Sequence, residues 1–394
     1  MQPDLDLLIL GGGCAGLSLG DRLAEQPSRP GGTMIIEARQ AYVNDRTWCF
    51  WRLAPHRYER LVARSWGAMT IRSADREVVV TCPQTPYQML ESAAFYDAVQ
   101  TRIAASAAVR LKLDTRVLGA PRRCGAGWAV ETDAGRLIAR HLVDTRPPAA
   151  PRPGDAVLWQ SFLGQHVRCE TPVFNPTSVQ LMHFAAAPKG TVLFRYVLPF
   201  SRYEALIETT VFGPRPMVAA EFAALQGAAV AEMCGSAAIQ VHRVESGILP
   251  MGLTRPERRP ERRTGSDHCR AGVMSGGARP SSGYAFQRIQ SWATAAAATI
   301  AGGGAPKGHR RDPLVQRTMD RLFLQVVRRH PERAPEMFTR LFGDTDPART
   351  IRFLSDRGSI ADCAAVGFTL PLGLFAGEVL RGLRQVPEAA TAPA

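Results

Sequence analysis

The chain has 394 residues, of which 45% are hydrophobic, 21% charged and 7% aromatic. That composition can bury one or two ordinary cores and excludes a disordered chain, a collagen or a disulfide scaffold. The formal charge of +13 is carried almost wholly by arginine; it suits anionic headgroups or acidic substrates, but the arginines are not interleaved with aromatics, so no nucleic-acid partner is expected. The eight cysteines include no CxxC pair, which points to reduced thiols in a cytoplasmic protein. Asp4 and Asp6 lead directly into a strand-like run with no basic stretch before it, so no signal peptide is expected. No apolar run reaches the roughly 18 to 20 residues of a spanning helix; the nearest, Ala364 to Ala376, contains Pro371.

The first predicted element is a buried parallel-type strand over Leu5 to Leu10, running straight into Gly11-Gly12-Gly13-Cys14-Ala15-Gly16. Leu17, Leu19 and Leu23 then predict a helix packed on a sheet. Met34-Ile35-Ile36 predicts a second strand ending at Glu37, which completes a βαβ unit. Another strand is predicted within Arg136 to Thr145, ending in Asp144-Thr145-Arg146. The Pro-rich stretch Pro147 to Gly154 can continue neither helix nor central strand and marks a domain boundary. Strands over Trp159 to Leu163, Val192 to Leu198 and Ala205 to Val211 predict an antiparallel substrate sheet. Met217 to Cys234 reads as helix, Arg255 to Arg263 as a charged connection, Gly302 to Pro313 as a second linker, Leu314 to Leu341 as helix, and the tail after Pro387 as disordered.

The expected fold class is therefore α/β. A Rossmann-type dinucleotide-binding domain comprises residues 1–150 and 265–310, an antiparallel β-sheet substrate domain residues 155–264, and a helical C-terminal segment residues 311–386, with a disordered tail at 387–394.

Gly11, Gly13 and Gly16 form GxGxxG between a strand and a helix, and Glu37 ends the next strand about 20 residues on. The first glycine permits the tight turn, the second lets backbone approach a pyrophosphate, and the third lets helix and strand close. The helix N-terminus then faces the anion and the carboxylate faces ribose hydroxyls. Opening a chain, such a unit suits FAD more than NAD.

Three further stretches draw notice. Asp45-Arg46-Thr47-Trp48-Cys49-Phe50-Trp51 concentrates aromatics, either as a core cluster under a loop or as the wall of a flavin or hydrocarbon site. Gly276-Gly277-Ala278-Arg279-Pro280-Ser281-Ser282-Gly283, ahead of a helix over Gln287 to Ala298, reads as a second cradle for an anion or carbonyl, with Gly276, Gly277, Pro280 and Gly283 as cofactor candidates. Glu208 lies within the apolar strand Ala205-Leu206-Ile207-Glu208-Thr209-Thr210, facing either solvent or the interior; facing inward, desolvation makes it an acid. Glu245, in Val244-Glu245-Ser246-Gly247-Ile248-Leu249-Pro250-Met251, is a second candidate. The histidines show no metal-binding spacing, and no nucleophile elbow is present.

In this order LILGGGCAGLSL, DRTWCFW, YQMLESAAFYDAV, LVDTR, WQSFLG, YVLPFS with ALIETT, VESGILPM, GGARPSSGYAF and DRLFLQVVRRHPERAPEMFTRLF with RFLSD resemble the bacterial lycopene β-cyclases, FAD-dependent carotenoid cyclases. The resemblance covers most of the chain. It implies flavin contact for Ala15, Arg46 and Asp144 beside the glycines and Glu37, and an essential acidic residue at Glu208. One departure is Asn175-Pro176, where the family usually carries Met-Asp.

It also implies the chemistry. Lycopene, a hydrocarbon, needs a long apolar channel. Protonation of its terminal double bond, attack by a neighbouring double bond and loss of a proton would close a β-ionone ring with no net redox change. The flavin would work reduced, with NADPH or NADH as electron source. A free glutamic acid ionises near ~4.3 and keeping it neutral near pH 7 requires roughly 4 kcal/mol, within what burial supplies. Because the substrate resides in bilayers, peripheral attachment to the inner membrane is expected, with Gly367 to Phe375 and the downstream Arg381 and Arg384 as the docking segment, the same run reading equally well as part of the core. The alternatives are an aromatic-hydroxylase-type flavin monooxygenase and a non-catalytic carotenoid or flavin carrier.

Overall fold

A computed structural model of the protein describes residues 3–28, 30–147, 152, 154–254 and 267–384. In chain order the strands are β1 (Leu5–Leu10), β2 (Thr33–Ile36), β3 (Thr47–Trp51), β4 (Val62–Trp66), β5 (Ala68–Arg72), β6 (Glu77–Thr81), β7 (Tyr87–Glu91), β8 (Val109–Lys112) and β9 (Arg122–Cys124). There follow β10 (Gly127–Thr132), β11 (Gly135–Asp144), β12 (Ala156–Cys169), β13 (Ser178–Ala185), β14 (Val192–Pro199), β15 (Glu204–Gly213), β16 (Ile239–Leu253) and β17 (His268–Arg270). The helices are α1 (Cys14–Leu23), α2 (Ser92–Ala104), α3 (Ala219–Cys234), α4 (Phe286–Ala301), α5 (Leu314–Arg329), α6 (Ala334–Gly343), α7 (Pro347–Leu354), α8 (Ile360–Thr369) and α9 (Leu372–Arg384). They fall into two compact units: Met1–Ser65, Tyr87–Arg152 and Thr254–Arg311 form the first, and Trp66–Pro86, Pro153–Leu253 and Asp312–Ala394 the second.

In the first unit the sheet order is β8-β2-β1-β11-β10-β9, with β17 also on β11. β1 lies between β2 and β11, parallel to both, and is buried along its whole length, as its unbroken apolar run predicts. Ile9 and Val143 pack with Leu17, Phe95, Val99 and Ile289 on one face, while Leu8, Leu142 and Trp128 form the core of the other. Gly20 lets α1 close on this sheet, since a Cβ there would lie 2.4 Å from Ile35. Asp21, wholly buried on α1, accepts from Arg57 Nε at 2.6 Å, from Tyr58 Oη at 2.7 Å and from Arg102. Burial opposes its charge, but those three donors outweigh it and hold the carboxyl below its ordinary value.

The second unit is built on a sheet of order β16-β12-β15-β14-β13-β5-β6, antiparallel except where β5 joins β13 in parallel. Helix α3 covers one face, placing Ala229, Val230 and Cys234 on Val167, Val197 and Ile207. The other face is aromatic: Phe194 meets Phe184 and Phe212, and Phe338 of α6 meets Phe184. Within the helical segment, Arg352 of α7 holds Asp362 of α8 through two hydrogen bonds, and Arg329 of α5 pairs with Glu378 of α9.

Two expectations need correction. Residues 66–86, assigned by sequence to the first domain, supply β5 and β6 of the second unit's sheet, where Met69, Ile71, Val78 and Val80 are buried at alternate positions. Period-two alternation identifies a strand but not the sheet that it joins. The segment 311–386 is not a separate body either, because it falls in the same unit as the substrate sheet. The helix after Ser281-Ser282-Gly283 spans Phe286–Ala301 and contains the expected Gln287 to Ala298, with Ala285 before it and no side-chain cap. Arg255 to Arg263 and the tail at 387–394 lie outside the described residues.

Replacing Asp21 by Asn leaves Arg102 without its anion and Arg57 with Glu25 alone, so a loss of about 3 kcal/mol is expected in urea unfolding. Since the Asp21 pKa is lower folded than unfolded, its contribution is present above about pH 4 and fades as the pH falls. The difference between parent and Asp21→Asn should shrink in the same direction.

Candidate functional sites

The glycine loop of the first unit is shaped by contacts that no larger residue satisfies. Gly11 has φ +94°, and a Cβ on Gly16 would lie 2.0 Å from the Gly11 carbonyl oxygen. Gly13, the N-cap of α1, has open space where a Cβ would stand and no side chain caps the helix, so the first-turn N–H groups are left for an anion. Thr145 Oγ1 donates to the carbonyls of Leu10 at 2.9 Å and Gly11 at 3.0 Å, tying this loop to the end of β11. Asp144 at that strand end is held by Arg146, at 2.9 Å from Nε and 2.8 Å from Nη2.

Glu37 accepts the Gly12 N–H at 2.6 Å and the Arg39 N–H at 2.9 Å. Burial works against its charge, but the side-chain and backbone bonds from Arg39, with that from Gly12, keep its carboxyl below the ordinary value. Tyr42 Oη donates to the Gly12 carbonyl at 2.8 Å, and the Arg39 guanidinium lies 4.7 Å from the Tyr42 ring centre and 5.4 Å from that of Tyr96. This anionic and aromatic cluster offers a carboxylate acceptor and ring faces beside the glycine loop.

The second glycine-rich stretch reaches the same loop. A Cβ on Gly272 would meet Ala15 Cβ at 3.6 Å and the Thr145 carbonyl oxygen at 3.4 Å. Gly277 N–H donates to the Gly272 carbonyl at 2.9 Å, and Gly272 N–H donates to His309 Nε2 at 3.0 Å. Burial keeps His309 neutral, lowering its pKa to about 4, so its ring nitrogen remains an acceptor. Gly276 and Gly283 adopt φ of +92° and +73°, and Gly283 N–H closes a turn over Pro280 onto the Arg279 carbonyl at 2.9 Å.

Gly11, Gly13, Ala15, Gly16, Glu37, Asp144, Gly276 and Gly277 are thus gathered about one loop system, whereas Pro280 and Gly283 shape the turn that follows. Arg46 is placed differently: its exposed guanidinium donates to the Asp45 carbonyl at 2.6 Å, and it is Arg39 that touches Gly12. Arg39, Tyr42, Gly272 and His309 were not legible as site residues, His309 because it falls in a stretch that reads as linker. Of DRTWCFW, Phe50 stacks on Phe286 at 5.1 Å within the unit's core, and Trp51 packs on Tyr87 and Tyr284.

The second unit holds the other group. In the sheet, Gly164 of β12 pairs with Glu208 of β15 on one side and with Glu245 of β16 on the other, and Tyr196 of β14 pairs with Glu208. All share the aromatic face, since Thr209 and Ile207 turn toward α3, with Thr209 Oγ1 donating to Gln226 at 2.6 Å. Glu208 therefore faces inward, the second of the two orientations open at the sequence level. A Cβ on Gly164 would touch Leu206, Glu245 Cγ and Glu208 Cβ at 3.2, 3.3 and 3.5 Å, so the bare glycine is what admits both side chains. Burial first, and the charge of Glu245 second, push the Glu208 carboxyl up to about 8, against a hydrogen bond from Thr210 Oγ1 at 2.9 Å. A neutral carboxylic acid beside a carboxylate, on an aromatic surface, can deliver a proton to a weak base and accept one back.

An open dinucleotide-type sheet combined with an antiparallel second sheet is the fold of FAD-dependent flavoprotein oxidoreductases. The chain is similar to a geranylgeranyl bacteriochlorophyll reductase-like protein from Thermoplasma acidophilum (TM-score 0.59, 11% identity, 96% of this chain and 98% of that one). It is also similar to the flavin-dependent brominase Bmp2 (0.60, 14%, 96% and 99%) and to the monooxygenase PieE, solved with FAD and substrate (0.56, 12%, 95% and 72%). No curated protein sequence matches significantly. Residues 6–375 match the profile of the family described as lycopene cyclase protein, and the chain belongs to that family.

Gly16→Ala drives a methyl group into the Gly11 carbonyl, so at least about tenfold weaker binding of added FAD is expected. Quenching of flavin fluorescence measures it.

Proposed function

We propose that the protein is a lycopene β-cyclase, converting the acyclic ψ-ends of lycopene to β-rings through γ-carotene to β-carotene, without net redox change. The observation that carries this reading is Glu208: a carboxyl kept protonated near neutral pH on an aromatic sheet face, in a chain of the lycopene cyclase family. Glu208 is the proton donor. Its Oε–H adds to the terminal double bond, the next double bond attacks the resulting tertiary cation, and a proton lost from the ring carbon returns to a base, which the Glu208 carboxylate then is.

The glycine loop, Ala15, Glu37, Asp144 and the Gly276-Gly277 stretch fit FAD: an uncapped helix end with open space at Gly13 for the pyrophosphate, and a carboxylate for the ribose. Bound and reduced by NADPH or NADH, the flavin would supply negative charge that stabilises a cation. The chain's own contribution is to orient that group and to hold the proton at Glu208.

We further propose cytoplasmic residence with peripheral attachment to the inner membrane through α8 and α9. Among the described residues no single helix is long and apolar enough to cross a membrane, but this pair is bent by 105° at its break. Phe368 and Leu372 beside the break are 76% and 56% exposed, and Arg381 follows at the surface, an arrangement suited to an anionic interface.

Anaerobic incubation of lycopene with reduced FAD should yield cyclised product of unchanged mass; a monooxygenase would stall without oxygen and a carrier would bind without turnover. Glu208→Gln should lower turnover by at least about a hundredfold while retaining FAD. The Glu208 pKa is raised on folding, so its ionisation weakens the fold as pH climbs from about 4.5 to about 8. The Gln variant should therefore be no less stable at pH 8 than the parent, which separates a chemical from a structural role. Phe368→Asp and Leu372→Asp should each weaken co-sedimentation with anionic vesicles by about tenfold or more without changing circular dichroism.

A further inference from the structure

The aromatic face of the second unit's sheet carries an ion pair that the reaction as proposed does not use. Arg243 and Glu245 are two residues apart on β16 and so lie on one face. Arg243 Nη1 donates to Glu245 Oε2 at 2.6 Å, and the side chains are 12% and 2% exposed. Arg243 pairs across the sheet with His166, one pleat from the Gly164 row. Glu208 and Glu245 stand two strand spacings apart, about 10 Å at the backbone, and the missing side chain at Gly164 leaves the gap to their carboxyl groups.

We infer that Arg243 is a positioning residue for this chemistry: its ion pair locks Glu245 as the anion, so that Glu245 acts as a fixed counter-charge holding the proton on Glu208 and not as a second proton donor. The inference rests on the role proposed for Glu208. Two carboxyl groups on one apolar face share their protons unless something breaks the symmetry. Here the asymmetry is built in, because Glu245 has a guanidinium beside it whereas Glu208 has the hydroxyl of Thr210. Among the described residues, the titratable and charged groups that share the face are Tyr196 on β14, His166 on β12 with the His242 ring 5.4 Å from it, Arg243 and Glu245 on β16, and, two rows from Glu208, the Arg168–Glu204 pair, while α5, packed along β12 and β16, brings the buried Asp320. Arg195, Glu232 and His183 form a separate set centred on Glu232, with Arg195 pairing across the sheet with Thr209 in the row facing α3. An anion locked in place also favours a positive charge developing over the same face, which a shared proton would not do consistently.

The test is a carbon-13 NMR titration of the flavin-loaded protein labelled at glutamate carboxyl carbons, with the Glu208 signal assigned by its loss in Glu208→Gln. In the parent, Glu208 should titrate in a single step. Glu245→Gln should move that midpoint down by about one pH unit or more. Arg243→Gln should release Glu245 to take up a proton, so that two coupled steps replace one, whereas Arg243→Lys keeps the single step. An unchanged Glu208 midpoint in Glu245→Gln, or a single step in Arg243→Gln, would overturn the inference. If the proposed function is right, the pH at which cyclisation fails on the alkaline side should follow the NMR midpoint through the series. Absence of cyclisation in the parent would defeat that function alone, since the titration reads the pair without substrate.

Discussion

The chemistry depends on a proton that must stay on a carboxyl group at a pH where free carboxyls have lost theirs. Water stabilises carboxylates strongly, and the protein counters this by withdrawing Glu208 onto an aromatic sheet face and setting a second negative charge nearby. Burial is the larger effect and the neighbouring charge the smaller, and both act in one direction: they make the acid reluctant to ionise and its carboxylate, once formed, a stronger base for the last step. A neighbouring anion alone would be screened if the pair were wet. The register of three strands imposes both at once: β15 and β16 each present a glutamate to the same glycine of β12. A slip of one residue in either pairing would turn a carboxylate to the α3 side and abolish the arrangement.

The nucleotide-type loop obeys a different constraint, close approach of backbone to backbone. Gly11 and Gly16 cannot gain side chains because the turn brings the Cα of one against the carbonyl of the other. Gly13 is free of such crowding, and there the absence of a side chain leaves an opening at an uncapped helix end. The loop is braced from behind by Thr145 and from the side by the Gly272 turn, which His309 anchors as a neutral acceptor. Rigidity of this kind matters to a cradle for a charged ligand, since each N–H aimed in advance is one that need not be ordered on binding.

The legibility of these two sites in the sequence differs for a physical reason. The β1–α1–β2 fingerprint is local: about thirty consecutive residues contain strand, turn, helix and acidic terminus, and periodicity with glycine spacing reveals them. Three strands of the second sheet, β12, β14 and β15, were legible as apolar or β-branched runs, whereas β13, β16, β5 and β6 were not, and Glu208 stood out as a carboxylate among β-branched neighbours. Pairing across a sheet is not local. That Gly164 lies between Glu208 and Glu245, that Arg243 shares their face, and that residues 66–86 leave the first unit to form the edge of the second sheet all depend on registers fixed by tertiary packing. His309 was hidden differently, because a buried histidine accepting one backbone N–H has no sequence pattern of its own. Arg46 shows the converse, a residue implied by resemblance whose side chain turns to solvent while Arg39 takes the contact with the glycine loop.

The Asn175-Pro176 departure from the usual Met-Asp can be weighed on the same grounds. Phe174 is buried, but Asn175 and Pro176 are exposed, and Asn175 Oδ1 accepts from the Thr177 N–H at 3.1 Å and from Thr177 Oγ1 at 2.8 Å. This is a local side-chain turn leading into β13, and the position that carries the family's Asp is the exposed Pro176. An aspartate in so exposed a turn would keep close to its ordinary pKa, be ionised at neutral pH and have no proton to give. The departure therefore removes no donor from this chain. The group able to supply a proton is the half-buried Glu208, whose charge state is set by strand pairing and by an anchored neighbour, and a change at residues 175 and 176 bears on how the loop before β13 is held.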